Sequence, residues 1–375
     1  MRRTRRNHER APLVLSGAAL LLFLCTLLVS CSRSEAPFVI GAAGPWKEAY
    51  GTMNKLGIEL ATSEINSRGG IKGRPLQVVM QDDEGKGERA AEIAAEFVNT
   101  PEVVAVVGHV TSGAMVAASL VYDGSLAAVA TTATSPELTG ISPWVFRVIS
   151  SDSANGIALA RFASQLGHRR AAILYENDSY GRGLAGSFQR NFAGEVVTID
   201  PIPNGASDLE PFVSYYVRQK VDIVFSAGTD VSGVALLREA RRQNYHTTFL
   251  GGDGWTGITS DTAAAEGVYV GAPFTSEDQR PEAQRFVRAF RQKYGQFPDG
   301  NAALAYDATM LVAEAIRSVG PDRRAIRDYL SGLDERTAFH GVTGMIRFQP
   351  DGDPVGKSFV MTRVVQGSLV VADVQ

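Results

Sequence analysis

Thiols are almost absent from this chain. Its 375 residues include two cysteines, Cys25 and Cys31, both near the N-terminus. From residue 32 onward there is none, which excludes disulfides and cysteine-based metal or catalytic sites from the body of the protein. Histidine is scarce as well. The five are His8, His109, His168, His246 and His340, and none stands at metal-ligand spacing from another. No Gly-x-Ser-x-Gly elbow occurs. Gly108 and Gly113 have the spacing of a phosphate loop, but no Lys-Ser/Thr follows, and Gly41-Ala-Ala-Gly44 is only half a dinucleotide fingerprint. No cofactor motif is complete, and no low-complexity linker divides the chain. Apart from residues 13–29, no run is long and apolar enough to span a bilayer.

What the N-terminus does contain is a targeting signal. Arg2, Arg3, Arg5, Arg6 and Arg10 form a basic head, Leu13 to Val29 is apolar, and Leu28-Val29-Ser30-Cys31 follows. Residues 1–30 read as a secretory signal peptide. The last four residues look like a bacterial lipobox, in which Cys31 becomes the lipidated first residue of the mature chain. An uncleaved membrane anchor is the alternative. Polar Ser32 to Glu35 directly after Cys31 favours processing, with residues 31–37 as a lipidated linker. Removing residues 1–30 takes five Arg and one Glu, so the formal charge falls from −3 to about −7. That balance argues against a nucleic-acid partner or an anionic-membrane surface.

From Phe38 the pattern is a regular alternation of short apolar runs and helical stripes. Strands are expected at Phe38 to Ala42, Leu76 to Met80, Val103 to Val107 and Leu126 to Ala130, with helices between them. The pattern changes around Trp144 to Arg147 and restarts. Strands follow at Ala171 to Tyr175, Val196 to Ile199, Ile223 to Ser226, Thr247 to Leu250 and Tyr269 to Ala272. Three helices come next, near Glu282 to Tyr294, Ala302 to Val319 and Asp322 to Gly332. The tail, Gly344 to Phe348, Ser358 to Val365 and Leu369 to Ala372, reads as antiparallel strands. Such alternation implies parallel sheets with right-handed crossovers.

The stretch Val103 to Pro136 organises the rest. Two strand ends decorated with hydroxyls, Thr111-Ser112 and Thr131-Thr132-Ala133-Thr134-Ser135, should lie side by side with a helix N-terminus between them. Free N–H groups and the helix dipole suit an anion there, a carboxylate as readily as a phosphate. Ligands of open α/β sheets bind beyond the strand carboxyl ends. The plainer reading makes Ser112 a helix cap and the threonines a turn. Gly251-Gly-Asp253-Gly254 is a second strand-end loop, with Asp253 unobstructed by its neighbours or, alternatively, bonded to its own turn. Tyr50, Tyr180 and Trp255 stand on similar loops. His109 beside Ser112 is the one nucleophile–base pair on offer.

In order and spacing, several segments resemble the periplasmic branched-chain amino-acid binding protein family, the receptors of ABC importers. They are Asn66-Ser-Arg-Gly-Gly-Ile-Lys-Gly73, Asp82-Asp83, Val107-Gly-His109, Ala133-Thr-Ser-Pro-Glu-Leu-Thr139, Phe146-Arg147, Tyr180-Gly-Arg-Gly183 and Tyr306-Asp-Ala308. The resemblance runs from Phe38 to Val371. It implies an α/β fold of two Rossmann-like lobes joined by three hinge crossings, near Ile149, Pro273 and Gly344. Lobe 1 would be 38–149 plus 274–343, and lobe 2 would be 150–273 plus 344–375. The resemblance further implies that Ser112 and Thr134 hold a ligand carboxylate, while the Thr132 carbonyl and Asp253 take its ammonium. Ala133, Tyr50, Tyr180 and Thr229 would complete the ligand site.

Three departures bear on specificity. Leucine-binding members often carry Glu at the place of Asp253 and an aromatic at the place of Thr229, and their loop between Ser112 and Thr132 is one residue longer. The expected protein is thus an extracytoplasmic lipoprotein, monomeric, that captures an amino acid or related small zwitterion in an interlobe cleft and delivers it to an ABC permease. The competing readings are a sensor of the same fold for an amide, urea or aromatic acid, and a secreted hydrolase using Ser112 and His109.

Overall fold

The computed structural model describes residues 36–372. The signal segment and Cys31 lie outside them. The chain opens with β1 (Phe38–Gly44), α1 (Ala49–Ser67), β2 (Leu76–Asp82), α2 (Gly87–Val98), β3 (Val103–Gly108), α3 (Ser112–Tyr122), β4 (Ala128–Ala130) and β5 (Val145–Arg147). These strands form one parallel sheet in the order β2-β1-β3-β4-β5. Every residue of β3 is buried, as a central strand covered on both faces requires. On one face Ala90, Ile93 and Phe97 of α2 share a core with Met115, Ala118 and Tyr122 of α3.

The second half repeats the plan. It comprises α4 (Asp152–Gln165), β6 (Arg170–Glu176), α5 (Ser179–Asn191), β7 (Glu195–Ile202), α6 (Glu210–Gln219), β8 (Ile223–Ala227), α7 (Asp230–Arg242), β9 (Thr248–Gly251), α8 (Thr262–Ala265) and β10 (Tyr269–Ala272). The C-terminal hairpin, β13 (Val360–Val365) and β14 (Ser368–Val371), adds antiparallel strands at one edge. The resulting order is β14-β13-β10-β9-β8-β6-β7. Between β10 and the hairpin the chain returns to the first sheet through α9 (Pro281–Tyr294), α10 (Gly300–Val319) and α11 (Arg323–Ser331). There α10 packs along α1. The fold is therefore α/β, with two mainly parallel sheets in two lobes, as the alternation implied.

Two strand readings need correction. Gly344 to Phe348 does not join the C-terminal hairpin. Its ordered part, β12 (Gly344–Ile346), pairs with β11 (Phe339–Gly341) in a separate two-stranded ribbon. The segment after it lies against β5. The Arg147 N–H donates to the Gly352 carbonyl at 3.2 Å, the Arg147 guanidinium reaches Asp353 at 2.5 Å, and Phe348 packs on Phe146 with ring centroids 4.9 Å apart. A buried arginine needs a carboxylate more than an apolar strand needs one particular neighbour. The strand β5 was not anticipated, because three residues carry too little periodicity to declare themselves.

Candidate functional site

The carboxyl ends of both sheets open on one cavity of about 780 Å³, within the range of a small-molecule site. On the first sheet, β3 ends at Gly108, where φ is +114° and an added Cβ would lie 2.4 Å from the Ala43 carbonyl. Only glycine tolerates that turn. It sends His109 inward and Ser112 to the start of α3. His109 Nδ1 lies 2.7 Å from Asp83 Oδ2 and Nε2 3.0 Å from the Tyr122 hydroxyl, with all three side chains fully buried.

The pairing of His109 with Ser112 is therefore not formed. Ser112 Oγ instead accepts the Thr134 and Ser135 N–H groups at 3.2 and 3.1 Å. That leaves its own hydrogen for another acceptor. The Thr132 hydroxyl, also in the cavity wall, donates to the Val110 carbonyl at 2.9 Å.

On the second sheet, β9 ends at Gly251, and Asp253 opens a short 3₁₀ turn through Trp255. Asp253 Oδ1 accepts the Tyr180 hydroxyl at 3.0 Å, and the Gly254 N–H donates to that same hydroxyl at 3.0 Å. Tyr180 is held there by α5, whose first turn is capped by Asp178 accepting the Gly181 N–H at 2.8 Å. Burial pushes the Asp253 carboxyl up to about 7, partly offset by the Tyr180 hydrogen bond. Asp152, fully buried at the start of α4, is pushed well up by its burial and by the charge of Asp253.

Of the eight ligand residues expected from the sequence, Ser112, Thr132, Tyr180, Asp253, Tyr50 and Thr229 line this cavity. Ala133 and Thr134 do not. Both are wholly buried behind the wall, and Thr134 meets the site through the N–H it gives Ser112. Trp255 is also buried, and an added Cβ at Gly251 would lie 2.2 Å from its ring, so its loop carries Asp253 outward and the indole inward. The sequence reading missed Glu176, Asp230 and Asp299. Each ends a strand or opens a helix, and acids at strand carboxyl ends were the available signal. Asn301 of α10 donates to Thr256 Oγ1 at 3.1 Å, and Ser179 Oγ donates to Glu137 Oε2 at 3.3 Å. Both bonds join the two sides of the cavity.

Two mainly parallel sheets presenting their carboxyl ends to a shared, half-open cavity define a bilobal solute-binding protein. The comparisons narrow this. Residues 37–368 match the periplasmic binding protein family, and the chain belongs to it. A Leu/Ile/Val-binding protein of Citrobacter freundii is 30% identical over 330 residues, covering 86% of this chain and 88% of that protein. An ABC transporter substrate-binding protein of Desulfitobacterium hafniense, solved with Leu, is 33% identical at a TM-score of 0.78, covering 90% of this chain and all of that one. A branched-chain amino-acid transporter substrate-binding protein of Streptococcus pneumoniae, solved with isoleucine, is 28% identical at a TM-score of 0.84, covering 90% and 99%.

Proposed function

We propose that this protein is the extracytoplasmic receptor of an ABC importer and captures an α-amino acid between its lobes. One observation carries the reading: a half-buried carboxylate, Asp253, and a hydroxyl donor, Ser112 at the N-terminus of α3, enter one cavity from opposite sheets. A zwitterion matches that polarity. Its ammonium would lie at Asp253 with the Thr132 carbonyl, and its carboxylate at Ser112 and the helix N-terminus. Tyr50, Tyr180 and Thr229 would bound its side chain, with Thr134 and Ala133 supporting the wall from behind.

The protein works as a monomer anchored through a lipid on Cys31, and a permease receives the ligand. In this reading the first lobe is 38–149 with 274–354, and the second is 150–273 with 355–375. The Arg147–Asp353 ion pair and the packing of Phe348 on Phe146 support this placing of the third crossing after Gly344. Closure follows from contacts to the second lobe that exist only with ligand present.

Titration calorimetry of the purified domain against a panel of amino acids, amides and urea tests the function. An α-amino acid should bind and raise the melting temperature by linkage. Binding of urea or an amide in preference to every amino acid would overturn it. The anchor is tested separately: Cys31→Ala should release the protein from membranes or block its processing, and Cys25→Ala should do neither.

A further inference from the structure

The cavity holds more negative charge than one ammonium requires. Among the described residues, seven acids line it against a single arginine, Arg238. That arginine is already engaged by Asp261 at 2.6 Å. Two of the acids stand apart from Asp253, and each keeps one carboxylate oxygen without a donor. Glu176, the last residue of β6, is fully buried. Its Oε1 accepts the Thr229 and Ser232 hydroxyls at 2.8 and 2.7 Å, yet its Oε2 meets no donor. Asp230, the first residue of α7, is 7% exposed, and its Oδ1 likewise meets none. Both side chains line the cavity. A buried carboxylate oxygen without a donor is costly in a low-dielectric site; both oxygens have almost no accessible surface of their own, so a ligand group meets them as these cavity-lining side chains reorient toward it.

Their placement relative to Asp253 is set by the sheet. The order β9-β8-β6 puts Asp253, Asp230 and Glu176 at three successive strand ends. At about 4.8 Å per strand, the outer two lie roughly 5–10 Å from the first, a span that an extended side chain of a few methylenes covers. Gly228 lets Ser232 and the Glu176 side chain pack close to the backbone. An added Cβ there would come within 3.1 Å of the Glu176 side chain. Across the cavity, Tyr50 feels the charges of both Glu176 and Asp230, which help burial push its hydroxyl up. The lining also includes the apolar side chains of Val110, Val231, Val234 and Met53.

We propose that Glu176 and Asp230 form a distal subsite for a positively charged nitrogen, so that the ligand is an α-amino acid whose aliphatic side chain ends in a cation. This rests on the α-amino-acid reading above. A branched aliphatic side chain would leave both carboxylates unpartnered in a closing, water-poor cavity. An ammonium or guanidinium on a methylene stem supplies the missing donors and packs its stem on the valines.

The experiment is calorimetry with L-lysine, L-ornithine and L-arginine against L-norleucine, L-leucine and cadaverine, on the wild type and on Glu176→Gln and Asp230→Asn. Glu176→Gln keeps an oxygen for Thr229 and Ser232. A melting curve without ligand checks that both variants fold. At least one basic amino acid should bind ten-fold or more tighter than norleucine, and each variant should erase most of that preference while leaving norleucine within a few-fold. Norleucine or leucine binding as tightly as the basic amino acids would overturn the distal subsite and leave the proposed function standing. Cadaverine matching lysine would overturn the carboxylate site, and with it the amino-acid reading. Binding of none of these ligands would overturn both.

Discussion

The two walls of the cavity are built from the same kind of element and left in opposite states. On the first sheet, the charged and ring groups around the β3 end are consumed within the protein, while the Thr111, Thr131 and Thr134 hydroxyls keep no partner. Asp83, His109 and Tyr122 form a closed chain of hydrogen bonds, and both acceptor positions of Ser112 are taken. On the second sheet, Glu176 and Asp230 each keep an oxygen with no donor, and Asp253 is held near neutrality by its burial. A saturated network fixes a loop in one shape. An unsaturated one stores interaction for a ligand. His109, which could pass for a catalytic base in the sequence, bonds Asp83 and Tyr122 and not Ser112.

The strongest way to break the comparison is to remove the charge from the unsaturated wall. Asp253→Asn keeps the size and one acceptor oxygen but strands the ligand ammonium. Breaking one side of a buried ion pair costs about 3–5 kcal/mol, and each ~1.4 kcal/mol is tenfold in affinity. Because Asn still accepts a hydrogen bond, an α-amino acid should weaken by roughly two to three decades by calorimetry. Unchanged affinity would mean the ammonium lies elsewhere.

Acid should act on the same carboxylate more gently. Asp253 titrates near 7 without ligand, and only its ionised form pairs with an ammonium, so binding releases a proton. Affinity is full above about pH 7 and falls as pH drops through it, by up to about tenfold per unit. The stability of the ligand-free protein should run the other way. A carboxyl whose folded value lies above its unfolded value of about 3.9 binds its proton more tightly in the folded state. Its contribution is complete below pH ~4 and is lost as pH rises to about 7. Calorimetry in buffers of different ionisation enthalpy reads the proton release, and melting curves across the same range read the second effect. An affinity flat from pH 5 to 8 would contradict the assignment.

On the saturated wall, disruption should register in stability first. His109→Ala removes one partner from each of two buried groups, Asp83 and Tyr122. Leaving buried polar groups unsatisfied costs about 1–3 kcal/mol each, and the void left by the ring adds to this. Denaturant unfolding should report a loss of at least that size, while any ligand that still binds should do so at saturating concentration to the same stoichiometry.

How much of this was legible beforehand follows the same division. The alternation of apolar runs with helical stripes gave away both sheets, because buried parallel strands write themselves as unbroken runs such as Val103 to Val107. Ser112, Thr132 and Asp253 were visible as small polar residues at strand ends. The strand β5 and the ribbon partner of Gly344–Ile346 were not, since three-residue strands are fixed by tertiary partners such as Arg147 with Asp353. Thr134 was read as facing the ligand when its side chain is buried, because sequence gives a loop's composition and not the direction of each side chain. Glu176 was passed over for the complementary reason. An acid at a strand end looks like a solvated loop residue until its unpartnered oxygen is seen inside a cavity.

The smallest effect should come from Ser112→Ala, and its sign is informative. With both acceptor positions of Ser112 Oγ occupied by the Thr134 and Ser135 N–H groups, the hydroxyl has one thing left to offer, its proton. Removing it deletes a single donor to the ligand carboxylate, worth about 0.5–1.5 kcal/mol as an ordinary hydrogen bond and somewhat more to a charged acceptor. The substitution also frees two buried N–H groups at the very place the carboxylate approaches. Without ligand they lose their acceptor, so the empty protein should be destabilised by about 1–3 kcal/mol. With ligand, the carboxylate can accept from them directly and recover part of what was lost. Ser112→Ala should therefore lower the melting temperature of the empty protein measurably, while weakening a carboxylate-bearing ligand by about tenfold or less. A loss of two decades or more in affinity, with the empty protein's melting temperature unmoved, would mean that Ser112 serves the ligand alone and that the Thr134 and Ser135 N–H groups do not depend on it.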